Sequence, residues 1–298
     1  MTNTEVLQKM SEDFMLRRSS DKTISTYKTL IEGFRRFSGK DNYADLDESD
    51  LRRYLIHLRA NGLMSDSATN TANSACKFML RVVLNQKIND SQVPNARTHH
   101  KMQIYFSREQ LTAFFAVLDN ITSFAFFLTL YGTGARLKEI TEIRTSDIEH
   151  MNGSHFLRIR HGKGNKERLV SLPDACYRAL RLYWKYQKPG NSQNLMFPDR
   201  TGSANLKPSH FTAAFRAALN DSRLGKELHP HCLRHTYAHN VMQNNPNNIL
   251  TLKNSLGHSS IASTEIYLKS SSIDMTNTSS PDEICRDLFD AFIARHEF

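Results

Sequence analysis

Cysteine, tryptophan and long apolar runs are all scarce in this sequence. Of 298 residues, four are cysteine and one is tryptophan. Cys76, Cys176, Cys232 and Cys285 stand far apart with no CxxC pair. That spacing excludes a disulfide framework or a zinc ribbon and points to reduced thiols in a cytoplasmic protein. None of the four sits in a nucleophile motif. The longest uncharged apolar run, residues 121–131, falls well short of the roughly 20 residues that cross a bilayer and reads as a buried helix. The opening residues, Met1 to Glu5, lack the basic start and apolar stretch of a signal peptide. Membrane and secreted classes are therefore not expected. Few alternating stretches and only 12 glycines argue against an all-β protein, and there is no internal repeat or low-complexity tract.

What is present begins with charge. The chain holds 39 basic and 30 acidic residues, and the surplus is uneven. Residues 101–272 carry 22 basic and 12 acidic side chains, whereas residues 273–298 carry two basic and six acidic. A middle segment holding the whole excess suits a polyanion partner, because Lys and Arg displace counterions condensed on a phosphate backbone.

Length and a 39% hydrophobic content fit two domains, each with its own core. The first hundred residues show helical periodicity. Ile24, Tyr27, Leu30, Ile31, Phe34 and Phe37 form one face behind a Ser20 cap. Leu51, Tyr54, Leu55 and Leu58 form a second, ending at Asn61 and Gly62, and Ala72, Cys76, Met79 and Val83 a third. With an amphipathic stretch at 5–16, these predict a small helical domain over 1–88. The polar stretch 89–104 reads as a linker. A capping box at Ser107 and Gln110 opens the next domain, 105–272. It is expected to be mostly helical, with a β-hairpin of 155–161 and 167–172 joined through Gly162 to Lys166. The tail, 273–298, carries a helix at 281–296: Ser280 caps it, Pro281 starts it, and Ile284, Leu288, Phe289, Phe292 and Ile293 make an apolar stripe.

Four short stretches carry side chains with chemistry. They are Arg136 with Glu139 after Gly134, Lys163 between two glycines, His231 with Arg234 and His235, and His258 followed by Tyr267. Each alone has an ordinary structural explanation, such as an i,i+3 pair on a helix or a lysine in an exposed turn. The turn at 162–166 is not a nucleotide-binding loop, since GxxxxGK[ST] is missing and the segment joins two strands. His231, His235 and His239 recur every four residues, but no HExxH is present and no carboxylate or cysteine completes a metal shell.

Taken together, the four stretches suit attack on a phosphodiester. Two guanidiniums can fork onto phosphate oxygens, imidazoles add donors, and a turn lysine can protonate a leaving oxygen. A tyrosine hydroxyl can serve as nucleophile and conserve the bond as a phosphotyrosine ester. No acidic cluster of the two-metal type is visible, so no metal or other cofactor is expected.

The order Arg136, Lys163, His231-x-x-Arg234, His258, Tyr267 resembles the signature of the tyrosine recombinases, the phage-integrase family. The likeness covers residues 105–270 and is most specific over 256–267. The first hundred residues resemble the family's core-binding domain only by position and helical pattern. The resemblance implies a mostly α fold with a small β-sheet, in which an N-terminal helical core-binding domain precedes a mixed α/β catalytic domain.

By matched position, Arg136 and Arg234 would hold the scissile phosphate, with His231 and His258 supporting its transition state. Lys163, favoured over Lys166 by its Gly-Lys-Gly setting, would protonate the leaving 5′ oxygen. Tyr267 would form the 3′-phosphotyrosyl link, and Glu139 would orient the site. Lys166 and Arg168 are expected to touch backbone phosphate. The resemblance further implies double-stranded DNA with an inverted-repeat core site as partner, a Holliday-junction intermediate, a homotetramer on DNA, and docking of the C-terminal helix in trans. Such enzymes serve mobile elements or chromosome maintenance. A type IB topoisomerase and a non-catalytic DNA-binding accessory protein are the rival classes. Recombinant products from paired sites would separate exchange from relaxation, and a covalent adduct would exclude a mere binder.

Overall fold

A computed structural model describes residues 1–97, 103–160, 162, 167–187, 194–245, 247, 249–257, 264 and 279–296. The chain divides into two units, Met1–Lys101 and Met102–Phe298. Among the described residues, no helix is long and apolar enough to cross a membrane.

In the first unit, side-chain caps set the helix starts. Thr2 and Glu5 form a reciprocal box at α1 (Asn3–Leu16), and Ser20 accepts from the Thr23 N–H at α2 (Asp21–Ser38). Asp47 and Asp50 box α3 (Glu48–Ala60), and Ser65 caps α4 (Asp66–Phe78). Each cap satisfies N–H groups that a helix start leaves unbonded. α4 runs on into a wider π-type turn, Met79–Val83. Ile31, Phe34, Leu51, Tyr54, Leu55, Leu58, Ala72, Cys76, Met79 and Val83 are all buried, so the periodic faces do form the core. Phe37 does not join them; it lies at the surface and stacks on His57 at 4.7 Å.

The polar stretch expected to be a linker from residue 89 is, through Ala96, part of this bundle. Val93 is 1% exposed in the core. Asn73 on α4 donates to the Val93 carbonyl at 3.0 Å, and Asn70 brackets Ala96 by donating to its carbonyl and accepting from its N–H. One apolar anchor and two α4 asparagines hold the strand down, a pairing that polar composition hides.

The second unit is built around α6 (Ile121–Thr133), buried along nearly its whole length. Such an all-round apolar helix needs cover on every side. That cover comes from α5 (Arg108–Ala116), α8 (Asp174–Gln187), α9 (Pro208–Asp221), α10 (Pro230–Asn244) and the last helix, α12 (Pro281–Arg295). Phenylalanines fill the interior: Phe126 lies flat on Phe211 at 3.5 Å, and Phe124 on Phe292 at 3.9 Å. Two shorter helices, α7 (Leu137–Thr141) and α11 (Ile249–Leu256), flank the core.

The sheet has three antiparallel strands, β1 (Ile148–Met151), β2 (Ser154–Ile159) and β3 (Arg168–Leu172), in that order. β2 and β3 are the expected hairpin, with Leu157 opposite Val170. β1 adds a strand that periodicity missed, because its side chains are half-buried or exposed with no alternation. Its turn was legible: Asn152 and Gly153 both take positive φ, 50° and 76°, as a two-residue hairpin turn demands.

The tail helix packs on its own unit. Ser280 and Glu283 box its start, and Ile284, Cys285, Leu288, Phe289 and Phe292 are buried among α5, α6 and α8. Burial of such side chains stabilises by about 2 kcal/mol each. Arg108 pairs with Asp287 at 2.5 Å, and Arg295 donates to the Ala116 carbonyl. The stripe read as a surface for a neighbour thus completes the chain's own core.

Candidate active site

The site begins where α6 stops. Gly134 takes φ 61°, ending the helix, and Arg136 follows in extended conformation as the first residue of the approach to α7. Gly134 is required twice over. Its φ is left-handed, and an added Cβ would lie 2.3 Å from the Tyr237 ring.

Glu139, on α7, is 6% exposed and accepts four hydrogen bonds. Arg136 gives its backbone N–H to Oε2 at 2.8 Å and Nη1 to Oε1 at 2.7 Å. Arg168, on β3, gives Nη1 to Oε1 at 3.0 Å and Nη2 to Oε2 at 2.7 Å. Burial alone would raise the Glu139 carboxyl, but Arg168 and the Arg136 N–H hold it below its ordinary value. Arg168 therefore does not face a phosphate, as the sequence suggested; it braces Glu139.

Arg234 projects from the second turn of α10 and is 1% exposed. Its Nη1 donates to the Gly134 carbonyl at 2.8 Å and its Nη2 to the Leu256 carbonyl at 2.7 Å. The end of α11 thereby organises the whole cluster. The successive carbonyls of Ser255, Leu256 and Gly257 accept from Arg168 at 2.8 Å, Arg234 at 2.7 Å and Arg136 at 3.4 Å. A helix C-terminus leaves such carbonyls unbonded and carries the negative end of the dipole, so three guanidiniums are its natural partners.

His231 sits in the first turn of α10. Its side chain reaches solvent, yet crowding in the recess and the charges of Arg234, His229 and Arg136 push its pKa down to about 4. The positive neighbours are the cause that solvent exposure leaves standing. His235 lies edge-on to His231 at 4.6 Å, while His239 stacks on Tyr105 at 4.1 Å. The i,i+4 histidine series does not form a ligand set, and no group of three metal-binding side chains exists among the described residues.

The structure thus brings together Arg136, Glu139, His231 and Arg234, from α7 and α10. Lys163, His258 and Tyr267 lie outside the described residues. Gly257, at φ 63°, is the last described residue before His258. Two other tyrosines flank the cluster and are unsuited to nucleophilic attack. Tyr131 is fully buried, and burial pushes the Tyr237 hydroxyl up to about 12. Sequence reasoning missed the bracing role of Arg168, whose partner Glu139 lies 29 residues away on another element.

The chain belongs to the phage integrase family and is a site-specific tyrosine recombinase: the family's model matches residues 105–272, and that of the phage integrase N-terminal SAM-like domain matches residues 6–90. Among relatives, a Sinorhizobium fredii protein described as an integrase/recombinase is 29% identical over 283 residues, spanning 94% of this chain and 89% of its own. The tyrosine recombinase XerC of Listeria innocua is 27% identical, spanning 90% and 94%. The fold is that of XerH recombinase solved on its palindromic difH substrate, with TM-score 0.72, 19% identity and 89% and 81% coverage. A lambda integrase dimer solved on a COC′ core site matches with TM-score 0.70, 17% identity and 94% and 98% coverage.

Proposed function

We propose that Tyr267 attacks a scissile phosphate in double-stranded DNA that Arg136 and Arg234 hold, at an inverted-repeat core site. The Tyr267 oxygen forms a bond to phosphorus as the phenol gives up its proton. The phosphorus–O5′ bond breaks, and Lys163 protonates the departing 5′ oxygen. His231 and His258 donate to the non-bridging oxygens as charge builds on them. A 5′-hydroxyl from the partner duplex then attacks the 3′-phosphotyrosine and releases the tyrosine, through a Holliday junction. Energy is conserved in the ester, so the exchange needs no cofactor.

The observation that carries this reading is the row of carbonyls at 255–257. It seats Arg136 and Arg234, from elements far apart in sequence, at one helix end that leads directly to His258. The net positive charge of residues 101–272 suits a phosphate backbone.

The N-terminal bundle acts as the core-binding domain, and the enzyme works in the cytoplasm as a homotetramer on DNA. In that assembly α12 passes to a neighbour and enters the equivalent groove among α5, α6 and α8, so docking in cis and in trans uses one surface. A nicked suicide duplex tests the chemistry. The wild-type chain should form a covalent protein–DNA adduct; Tyr267→Phe should form none while binding the duplex normally. An adduct that survives this substitution refutes the assignment.

A further inference from the structure

We infer that Arg168 is a positioning residue that keeps Arg136 turned toward the scissile phosphate by occupying the open edge of Glu139. This rests on the phosphate contact proposed above for Arg136. A carboxylate offers one edge on which a guanidinium can seat both terminal nitrogens, and that geometry is the strong one. Arg168 holds it, with Nη1 on Oε1 at 3.0 Å and Nη2 on Oε2 at 2.7 Å. Arg136, three residues before Glu139 on the same short segment, is left with a single side-chain contact at 2.7 Å.

The exposure of the two arginines follows this division. The Arg168 side chain is 11% exposed and that of Arg136 28%. The plane of Arg168 is fixed independently by its Nε, which donates to the Ser255 carbonyl at 2.8 Å. Room for it comes from Gly257, where an added Cβ would lie 3.1 Å from Arg168 Nη1. Arg168 therefore ties β3, α7 and the end of α11 to one another. Without it, a buried carboxylate loses half its donors, and Arg136 is the cation already bound to it. Arg136 would then close on Glu139 with both Nη atoms and withdraw from the phosphate.

The test is Arg168→Met, alone and combined with Glu139→Gln, on the nicked suicide duplex. Single-turnover cleavage by R168M should fall roughly 10- to 100-fold, the scale of a misplaced catalytic group. Duplex affinity and its salt dependence should stay at wild-type values, because Arg168 touches no phosphate. The double variant should cleave faster than R168M, since a neutral carboxamide no longer captures Arg136. R168K, which keeps the charge but not the fork, should fall between wild type and R168M and guards against a misfolded methionine variant. A crystal structure of R168M should show Arg136 chelating Glu139. Wild-type cleavage by R168M, a salt slope reduced by about one, or an unmoved Arg136 would each overturn the inference. A wild-type chain that forms no adduct would refute the proposed chemistry instead, and the Arg136 position in R168M would still decide the bracing role.

Discussion

Arg234 donates to the carbonyl of Gly134 at 2.8 Å, joining α10 to the end of α6 across 100 residues of sequence. The contact forms only because position 134 has no side chain, so that Tyr237 can close over it. Gly134→Ala adds a left-handed alanine and an overpacked ring contact, together about 2–4 kcal/mol of destabilisation. A lowered melting temperature should accompany slower cleavage, because the Arg234 seat moves with the backbone. Equal stability in the variant would mean that Tyr237 yields without cost.

Arg136→Ala removes a donor aimed at developing negative charge. Cleavage of the suicide duplex should fall roughly 100- to 1000-fold, as for other transition-state donors. Equilibrium affinity for the duplex should change far less, since one phosphate contact among many is lost. Gel-shift titration beside single-turnover cleavage separates the two effects.

His231 gives the protein an acid-side weakness. In the unfolded chain its imidazole takes a proton near the ordinary value of 6.5; in the folded chain it does so only at about 4. Between those values the unfolded state binds more protons, so stability falls as pH drops from 6.5 toward 4. Glu139, held below its ordinary 4.5, adds a loss of the same direction at still lower pH. Thermal melts of wild type and His231→Asn across pH 4 to 7 should show a shallower slope in the variant. Titration of the His231 ring near its ordinary value, followed by NMR, would contradict this.

Cys176 and Cys285 place their sulfurs 3.8 Å apart beneath Gly132, linking α8 to α12. A thiol oxidant such as diamide should join them, the diazene taking up the two hydrogens. In the free protein the product should remain monomeric on a non-reducing gel. On DNA, a passed helix puts the same bond between chains, and a ladder should appear. Cys285→Ser should abolish both products. Intramolecular bonds alone on a bound duplex would count against exchange.

Local chemistry was plain in the sequence. Ser20, Ser107 and Ser280 cap the helices they precede, and Gly134 ends α6. Arg136, Glu139, His231 and Arg234 could be named because their order and spacing survive in a linear text. What escaped depends on partners from elsewhere in the chain. Val93 looked like part of a linker until Asn73 was found holding its carbonyl. Arg168 looked like a phosphate contact because nothing near it in sequence reveals Glu139. β1 lacks alternation, so only its Asn152-Gly153 turn marked it. The stripe of α12 was visible, but a stripe states only that something covers it, not whose surface does so. Its burial also means that truncating 273–298 strips cover from Phe124 as well as removing a docking element.

The stacking of Phe292 on Phe124 sets a rule for any assembly that shares this helix. A molecule that lends the helix opens an aromatic hole in itself, and water in that hole is costly. The hole can be refilled only by a loan from another molecule. In a linear string one end always stays empty, whereas in a ring every lender also borrows. Subunit number is then set by the angle at which neighbours meet, and half-built complexes are disfavoured at their bare ends before any DNA strand is cut.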